Sequence, residues 1–343
     1  MAGVTLGRTG ITVEKNAFGA LPIQRISKDD AVYLLQKAQD SGFEYFDTAR
    51  GYTDSEEKLG AAFSGARREK IYIATKTHSA TGEGVRADLE ESLRMLKTDH
   101  IDVYQFHNTP FCPVPGGEDG MYDEAMKAKK EGKILHLGIT NHRLSVAREA
   151  AESGLYETLQ FPFSYLAGPQ EEELVELCRA NAVGFVCMKA LAGGLITDAE
   201  AAYAFMMQYD NALPIWGIQR ESELDEFISL IGSDGEMTDR IRALIEKDRG
   251  ELSGDFCRGC GYCMPCPVGI KISECARRSL LMRRAPLEAS LTPQVKEEME
   301  MIEKCLHCGS CASKCPYDLD TPELLQRNYE DYKNVLSAKT VIK

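Results

Sequence analysis

The sequence predicts a closed barrel of eight parallel β/α units, followed by a small, mainly helical domain rich in cysteine. Three observations carry this. Eight short apolar runs alternate with helical patterns over about 250 residues, the size and order of a barrel. No Gly-x-Gly-x-x-Gly follows any of those runs, which disfavours a doubly wound sheet. Nine of the twelve cysteines lie after residue 250, where the alternation stops. The expected domains are therefore residues 1–250 and 251–343.

The runs, in order, are "NAFGAL" (16–21), "FEYFDTA" (43–49), "IYIATK" (71–76), "IDVYQFH" (101–107), "LHLGIT" (135–140), "TLQFPFS" (158–164), "GFVCMKA" (184–190) and "PIWGIQ" (214–219). Each is short, β-branched or aromatic, as buried parallel strands are. Between them, segments such as "SKDDAVYLLQKAQDSG" and "GPQEEELVELCRANAVG" open on Ser or Gly-Pro with acids and repeat apolar residues at helical spacing. They close on Gly. The long loop "NTPFCPVPGGEDG" (108–120) leaves the fourth strand and is a candidate substrate-facing loop. After residue 250, "ISECARRSLLMRRA" and "LTPQVKEEMEMIEKC" bridge two cysteine runs as short helical pieces.

Charge narrows the partners. The formal net charge is −13, yet residues 251–343 balance 13 Lys+Arg with 13 Asp+Glu, leaving 27 against 40 in the first 250. An acidic surface repels phosphate backbones and anionic lipid, so neither nucleic acid nor membrane is an expected partner. The opening "MAGVTLGRTGITVEKNAFGA" has no apolar core of a secretory leader, and no apolar stretch approaches a membrane span. A cytoplasmic location is expected. Thiols stay reduced there, so clustered cysteines read as metal or cluster ligands rather than disulfides.

Barrel enzymes place reacting groups at the C-terminal strand ends. Those ends here carry Asp47, Lys76 and His107, with Tyr52 in the loop after Asp47. A tyrosine near pKa ~10 is a weak acid at neutral pH, and a neighbouring ammonium is expected to lower it. Asp47 would orient Lys76, and His107 could donate a hydrogen bond to the same substrate oxygen. Taken singly, each residue also suits a structural role: a core histidine, an ion pair, a packed aromatic. Four of them on neighbouring strand ends point to a site.

These motifs carry a resemblance. "FDTARGYTDSEEKLG" (46–60), "IYIATKT" (71–77), "IDVYQFHN" (101–108) and "LHLGITNH" (135–142), after an opening hairpin "LGRTGITVEKNAFGALP" (6–22), resemble the aldo-keto reductases over residues 4 to about 235. The resemblance implies a barrel that reduces a small carbonyl substrate, or oxidises the alcohol, with NADPH. Tyr52 would be the proton donor, Lys76 and Asp47 would tune it, and His107 would orient the substrate. Thr140, Asn141 and Gln160 match positions that bind the nicotinamide carboxamide, with Met188, Lys189, Gly217 and Arg220 along the rest of the cofactor. Two departures stand out. Met188 and Lys189 replace an aromatic and the Ser that follows it, and Phe227 replaces an Asn that grips the adenosine phosphate.

The cysteine runs are "CRGCGYCMPCP" (257–267) and "CLHCGSCASKCP" (305–316). The second has the bacterial ferredoxin spacing, in which three cysteines hold one cluster and the fourth serves another. By that analogy Cys257, Cys260, Cys263 and Cys315 would hold one 4Fe–4S cluster, and Cys305, Cys308, Cys311 and Cys266 a second. Zinc on four thiolates is the rival. Cys275 is left over as a packed thiol or spare ligand, and Cys178 and Cys187 fall in core patterns. The whole chain then resembles the branch of aldo-keto reductases that carries a C-terminal ferredoxin-like domain. Hydride and single electrons do not interconvert without an intermediary. Two readings follow: clusters that pass electrons to or from the barrel, with a low-potential carrier as partner, or a non-catalytic electron-transfer or nicotinamide-sensing subunit whose clusters are structural.

Overall fold

The computed structural model describes residues 3–252, 256–284 and 287–341. They fall into two compact units. One comprises residues 1–191 with 198–245, the other 192–197 with 246–343.

The first unit is the barrel. A hairpin of β1 (Gly3–Thr5) and β2 (Thr12–Glu14) precedes eight parallel strands: β3 (Ala17–Gly19), β4 (Tyr45–Asp47), β5 (Tyr72–Thr77), β6 (Ile101–His107), β7 (Ile134–Thr140), β8 (Thr158–Pro162), β9 (Gly184–Met188) and β10 (Ala212–Gly217). They close in the order β10-β3-β4-β5-β6-β7-β8-β9. The helices that follow the barrel strands are α1 (Lys28–Asp40), α2 (Ser55–Ala62), α3 (Gly82–Leu96), α4 (Met121–Lys130), α5 (Leu144–Glu152), α6 (Pro169–Ala180), α7 (Ala199–Met207) and α8 (Glu221–Leu230). Every expected run overlaps its strand; β5 ends one residue later than its run, β7 begins one residue earlier, and β10 begins two residues before Pro214.

Local chemistry sets the helix starts. Ser27 accepts the Asp30 amide at 3.1 Å to begin α1, which buries Ala31, Leu34, Leu35 and Ala38. Pro169 opens α6. The hairpin closes the N-terminal end of the barrel: Val4, Leu6, Ile11 and Val13 pack with Ala17, Tyr45, Ala74, Val103, Val186, Leu213 and Ile215. Gly7 makes the turn at φ +52°, and a β-carbon there would lie 2.4 Å from the Ala182 carbonyl oxygen and the Gly184 amide, so only glycine fits. With that end filled, the C-terminal strand ends remain for a site. Strand register sets Gly19 beside Asp47, Lys76 beside Gln105, and His107 beside Thr140, which in turn lies beside Gln160.

α9 (Asp239–Leu252) leads into the second unit, whose helices are α10 (Ile272–Cys275), α11 (Arg278–Arg284), α12 (Pro293–Glu300), α13 (Ser310–Ser313) and α14 (Thr321–Val341). Its small core joins Ile270, Ile272, Met299, Ile302, Leu325 and Tyr332, with most of the clustered cysteines packed along its edge. Within this unit the Arg277 guanidinium donates to the Gly193 carbonyl at 2.5 Å, holding residues 192–197 to it.

Candidate active site and candidate cluster centre

At the strand ends of the barrel, Lys76 is fully buried and spends all three ammonium protons. It donates to Asp47 Oδ1 and Oδ2, both at 2.7 Å, and to the Thr48 carbonyl at 2.6 Å. Burial pushes the Asp47 carboxyl up and the Lys76 ammonium down, and their mutual attraction opposes both shifts. Three matched acceptors keep the pair ionised. Lys76 Nζ lies 5.3 Å from the centroid of the half-buried Tyr52 ring, whose edge meets His107 at 5.9 Å between centroids. The four side chains thus meet.

The electrostatics differ from the sequence expectation at Tyr52. Its phenol is raised rather than lowered, first by burial and then by the Asp47 carboxylate. The reason is local: Lys76 is neutralised by the carboxylate it grips, so little net positive field reaches the phenol. His107 is held well below the ordinary histidine value, first by burial and then by Lys76, His78 and His142. It is therefore a neutral imidazole at physiological pH. Its Nδ1 is buried without a partner, as is the side-chain oxygen of Asn108, which sits next to it at φ +59°. At a strand end such atoms leave hydrogen-bonding positions open to a bound molecule.

The side chains expected to contact a nicotinamide are engaged within the protein. Asn141 donates to the Thr109 carbonyl at 2.7 Å, and its oxygen accepts the backbone amides of His142 at 3.0 Å and Arg143 at 2.8 Å. Gln160 accepts from Gln105 at 3.0 Å and donates weakly to Asp47 at 3.4 Å. The Thr140 hydroxyl points at the Met188 sulfur, 3.7 Å away. Met188 and Lys189 are half-buried at the end of β9, Lys189 at φ +56°, and Gly217 is exposed at the end of β10. Arg220 is bound to Glu223, with contacts of 2.8 and 2.6 Å, at the start of α8. Phe227 is buried and stacked on Trp216, rings 4.3 Å apart. This set does not form a ready grip for the adenosine phosphate of NADPH: the one matching cation is already paired, and the Asn position belongs to the core.

Sequence reasoning missed His78. Exposed at the end of β5, it stacks on His107 with ring centroids 3.8 Å apart and planes at 17°. Its position two residues after Lys76, on the same strand face, was the available signal. The 108–120 loop is rooted by the Asn141–Thr109 bond and by Tyr156 Oη donating to the Pro113 carbonyl at 2.5 Å, and it exposes Phe111.

In the second unit the cysteines ring two cavities. Cys257, Cys260, Cys263 and Cys315 line one, with Tyr317 and Leu324. Cys266, Cys305, Cys308 and Cys311 line the other, which Cys263 also reaches. Thiols that surround a cavity in this way suit a multi-iron group. Burial, and then the neighbouring Cys257 and Cys260 thiols, push Cys263 up to about 12. Such mutual repulsion is what bound iron would relieve. The Gly259 amide donates to Cys257 Sγ at 3.3 Å, a bond a ligand thiolate accepts. Cys275 stands apart: fully buried, pushed up to about 12 by burial, it donates to the Glu298 carbonyl at 3.4 Å as a packed thiol. Cys178 and Cys187 are buried in the barrel.

Comparison with known proteins follows the same division. The family described as aldo/keto reductase matches residues 15–208, and a 4Fe-4S dicluster domain matches residues 256–320. The uncharacterized oxidoreductase YrpG of Bacillus subtilis is 30% identical over 225 residues, 56% of this chain and 67% of that protein. L-galactose dehydrogenase of Arabidopsis thaliana is 30% identical over 215 residues, 56% of this chain and 66% of that one. The chain thus spans about two thirds of the length of these relatives. A solved aldo-keto reductase of Bacillus halodurans in its holo form superposes with a TM-score of 0.64 at 20% identity, over 72% of this chain and 96% of that one. At that identity the likeness speaks for the fold alone. No helix among the described residues is long and apolar enough to cross a membrane.

Proposed function

Since this chain belongs to the aldo/keto reductase family and carries a 4Fe-4S dicluster domain, we propose that it interconverts a small carbonyl compound and its alcohol in the barrel, coupled to electron exchange through two 4Fe–4S clusters. Reduction of C=O to CH–OH adds a hydride equivalent, two electrons and a proton, to carbon from the external reductant, and a second proton to oxygen. Tyr52 gives the proton that ends on oxygen. Its raised pKa keeps the phenol protonated at rest, so an acid is always loaded. As the proton leaves, the phenolate forms beside the buried Lys76 ammonium, which Asp47 holds in place. His107, neutral, donates a ring N–H to the same oxygen without competing for the proton.

Cys257, Cys260, Cys263 and Cys315 would hold one cluster and Cys266, Cys305, Cys308 and Cys311 the other; when bound, they supply single electrons. NADPH is the reductant the family suggests, but the Glu223-bound Arg220 and buried Phe227 make its grip weak, and no step is derived through it. The observation that carries this reading is the buried Lys76–Asp47 pair beneath the Tyr52 ring, with His107 at its edge. An anaerobic screen of carbonyl compounds tests it, run with NADPH and, separately, with a reduced low-potential carrier. We expect carrier-driven turnover of at least one compound. Cluster-replete protein inert with both donors across aldehydes, ketones and alcohols would reject it.

A further inference from the structure

Resting on the redox reading above, we propose that an acidic one-electron carrier protein docks on the rim formed by residues 303–314 and exchanges its electron with the cluster held by Cys266, Cys305, Cys308 and Cys311.

Three observations single out this rim. Of the eight clustered cysteines only Cys308 is exposed; the other seven are half-buried. Beside it Leu306 is 65% exposed, the highest value among the exposed large hydrophobic side chains of the described residues, and it lines the same cavity as the exposed Pro265 and Pro267. A bare leucine next to a cluster ligand serves a protein partner better than it serves the fold. Charge chooses the partner. Lys304 and Lys314 are both exposed, and among the described residues no carboxylate pairs with either. The single acid of the segment, Glu303, is occupied by the Tyr329 hydroxyl at 2.7 Å.

The other cavity offers the opposite surface. Arg258 lies between the rings of Phe256 and Tyr317, 4.6 and 4.4 Å from their centroids, beside the thiols of Cys257 and Cys260. The exposed charges that follow Cys315 are Asp318 and Asp320. The first 250 residues are also acidic, 27 Lys+Arg against 40 Asp+Glu. An acidic carrier is repelled by most of the chain and attracted by this rim, so steering fixes where it lands. In the step itself the carrier is oxidised by one electron and the cluster reduced by one; no bond forms and no proton moves.

The test uses anaerobic, cluster-replete full-length protein and, as probe, a reduced acidic plant-type ferredoxin in stopped flow. Methyl viologen radical, a small cation, is the control reductant. For the unaltered protein the ferredoxin rate should fall steeply as salt rises. Lys304→Glu with Lys314→Glu, and separately Leu306→Asp, should each slow ferredoxin oxidation by about tenfold or more at low salt. Viologen should reduce the same variants at an unchanged or faster rate, and their iron content should match the unaltered protein. Equal ferredoxin rates in the variants and the unaltered protein, while viologen still reduces the clusters, would overturn the docking proposal and leave the redox reading standing. Clusters that viologen cannot reduce would overturn both.

Discussion

At the scale of single residues, the site depends on which groups are charged. Tyr52 is a loaded acid because burial and Asp47 both disfavour its phenolate. Tyr52→Phe keeps the ring over Lys76 and removes the proton, so turnover on a verified substrate should fall by about 10² or more, with little change in stability. Near-unchanged turnover would count against the assignment. Lys76→Met should be worse in a different way. It strands a buried carboxylate, so the barrel itself should lose stability, by about 3–5 kcal/mol in breaking a buried pair. The buried histidines give a pH signature. His107 and His142 are both held far below their ordinary value, each mainly by burial. Their neutral forms are the folded ones, so below about pH 6.5 the unfolded chain takes up two protons that the folded chain refuses. Stability is therefore full above that pH and declines as pH falls through it. Glu157, lowered to about 2 by His136, Lys129 and the Leu137 amide against its own burial, acts in a separate window, below about pH 4.5. Trp216 is the one tryptophan and is fully buried in the barrel, so its fluorescence follows barrel unfolding alone. Urea midpoints between pH 7.5 and 5 should drop, and His142→Gln should flatten that slope; a pH-independent midpoint would refute the account.

At the scale of elements, the strands were legible because parallel strands buried on both faces write themselves as short apolar runs. β10 lies two residues upstream of its expected run at both ends: Pro214 lacks an N–H, so the sequence suggests a boundary there, whereas pairing of Ala212–Pro214 with β9 extends the strand upstream. The positions of Asp47, Lys76 and His107 were legible for the same reason, since they lie at the ends of strands, whereas Tyr52 follows in a loop. Hydrogen-bond partners were not. Nothing in "TNHR" says that the Asn141 oxygen will be taken by the next two amides, and nothing in "QRESE" says that Glu223 will both cap α8 and hold Arg220. Such bonds depend on loop geometry that the pattern of residue types does not encode. Phe227 shows how a site residue becomes an element residue. Stacked on Trp216, which in turn donates to Asn16 at 2.7 Å, it fixes α8 against β10. Phe227→Asn should therefore not restore a cofactor grip. It should destabilise the barrel by about 3 kcal/mol or more, as large core truncations do, seen as a lower urea midpoint of Trp216 fluorescence. A stable variant with sharply improved NADPH affinity in a cofactor titration would show that the position still belongs to the cofactor.

At the scale of the whole molecule, the question is whether the iron is wiring or a staple. The second unit has a core of modest size, and ligation of iron by dispersed thiols adds folding energy that such a core lacks. That alone would explain the cysteines. It does not explain a bare rim at one cavity, with its exposed Cys308, its leucine and two lysines that pair with no carboxylate among the described residues. A staple is best buried; an exchange site must be reached. Replacing Cys305 and Cys308 separates the two. Iron should fall by about half, to the content of one 4Fe–4S cluster, with the broad sulfur-to-iron absorption reduced in proportion. Cys275→Ala, which removes a packed thiol outside both cavities, should leave the iron unchanged and serves as the control for cysteine loss as such. Barrel folding in the Cys305/Cys308 variant must then be verified by Trp216 fluorescence and far-UV circular dichroism. If it is intact, carrier-driven carbonyl reduction should be lost, because the carrier no longer has a cluster at its landing site. Full activity with every electron donor in that folded, iron-depleted protein would leave the staple as the sole role of the cluster.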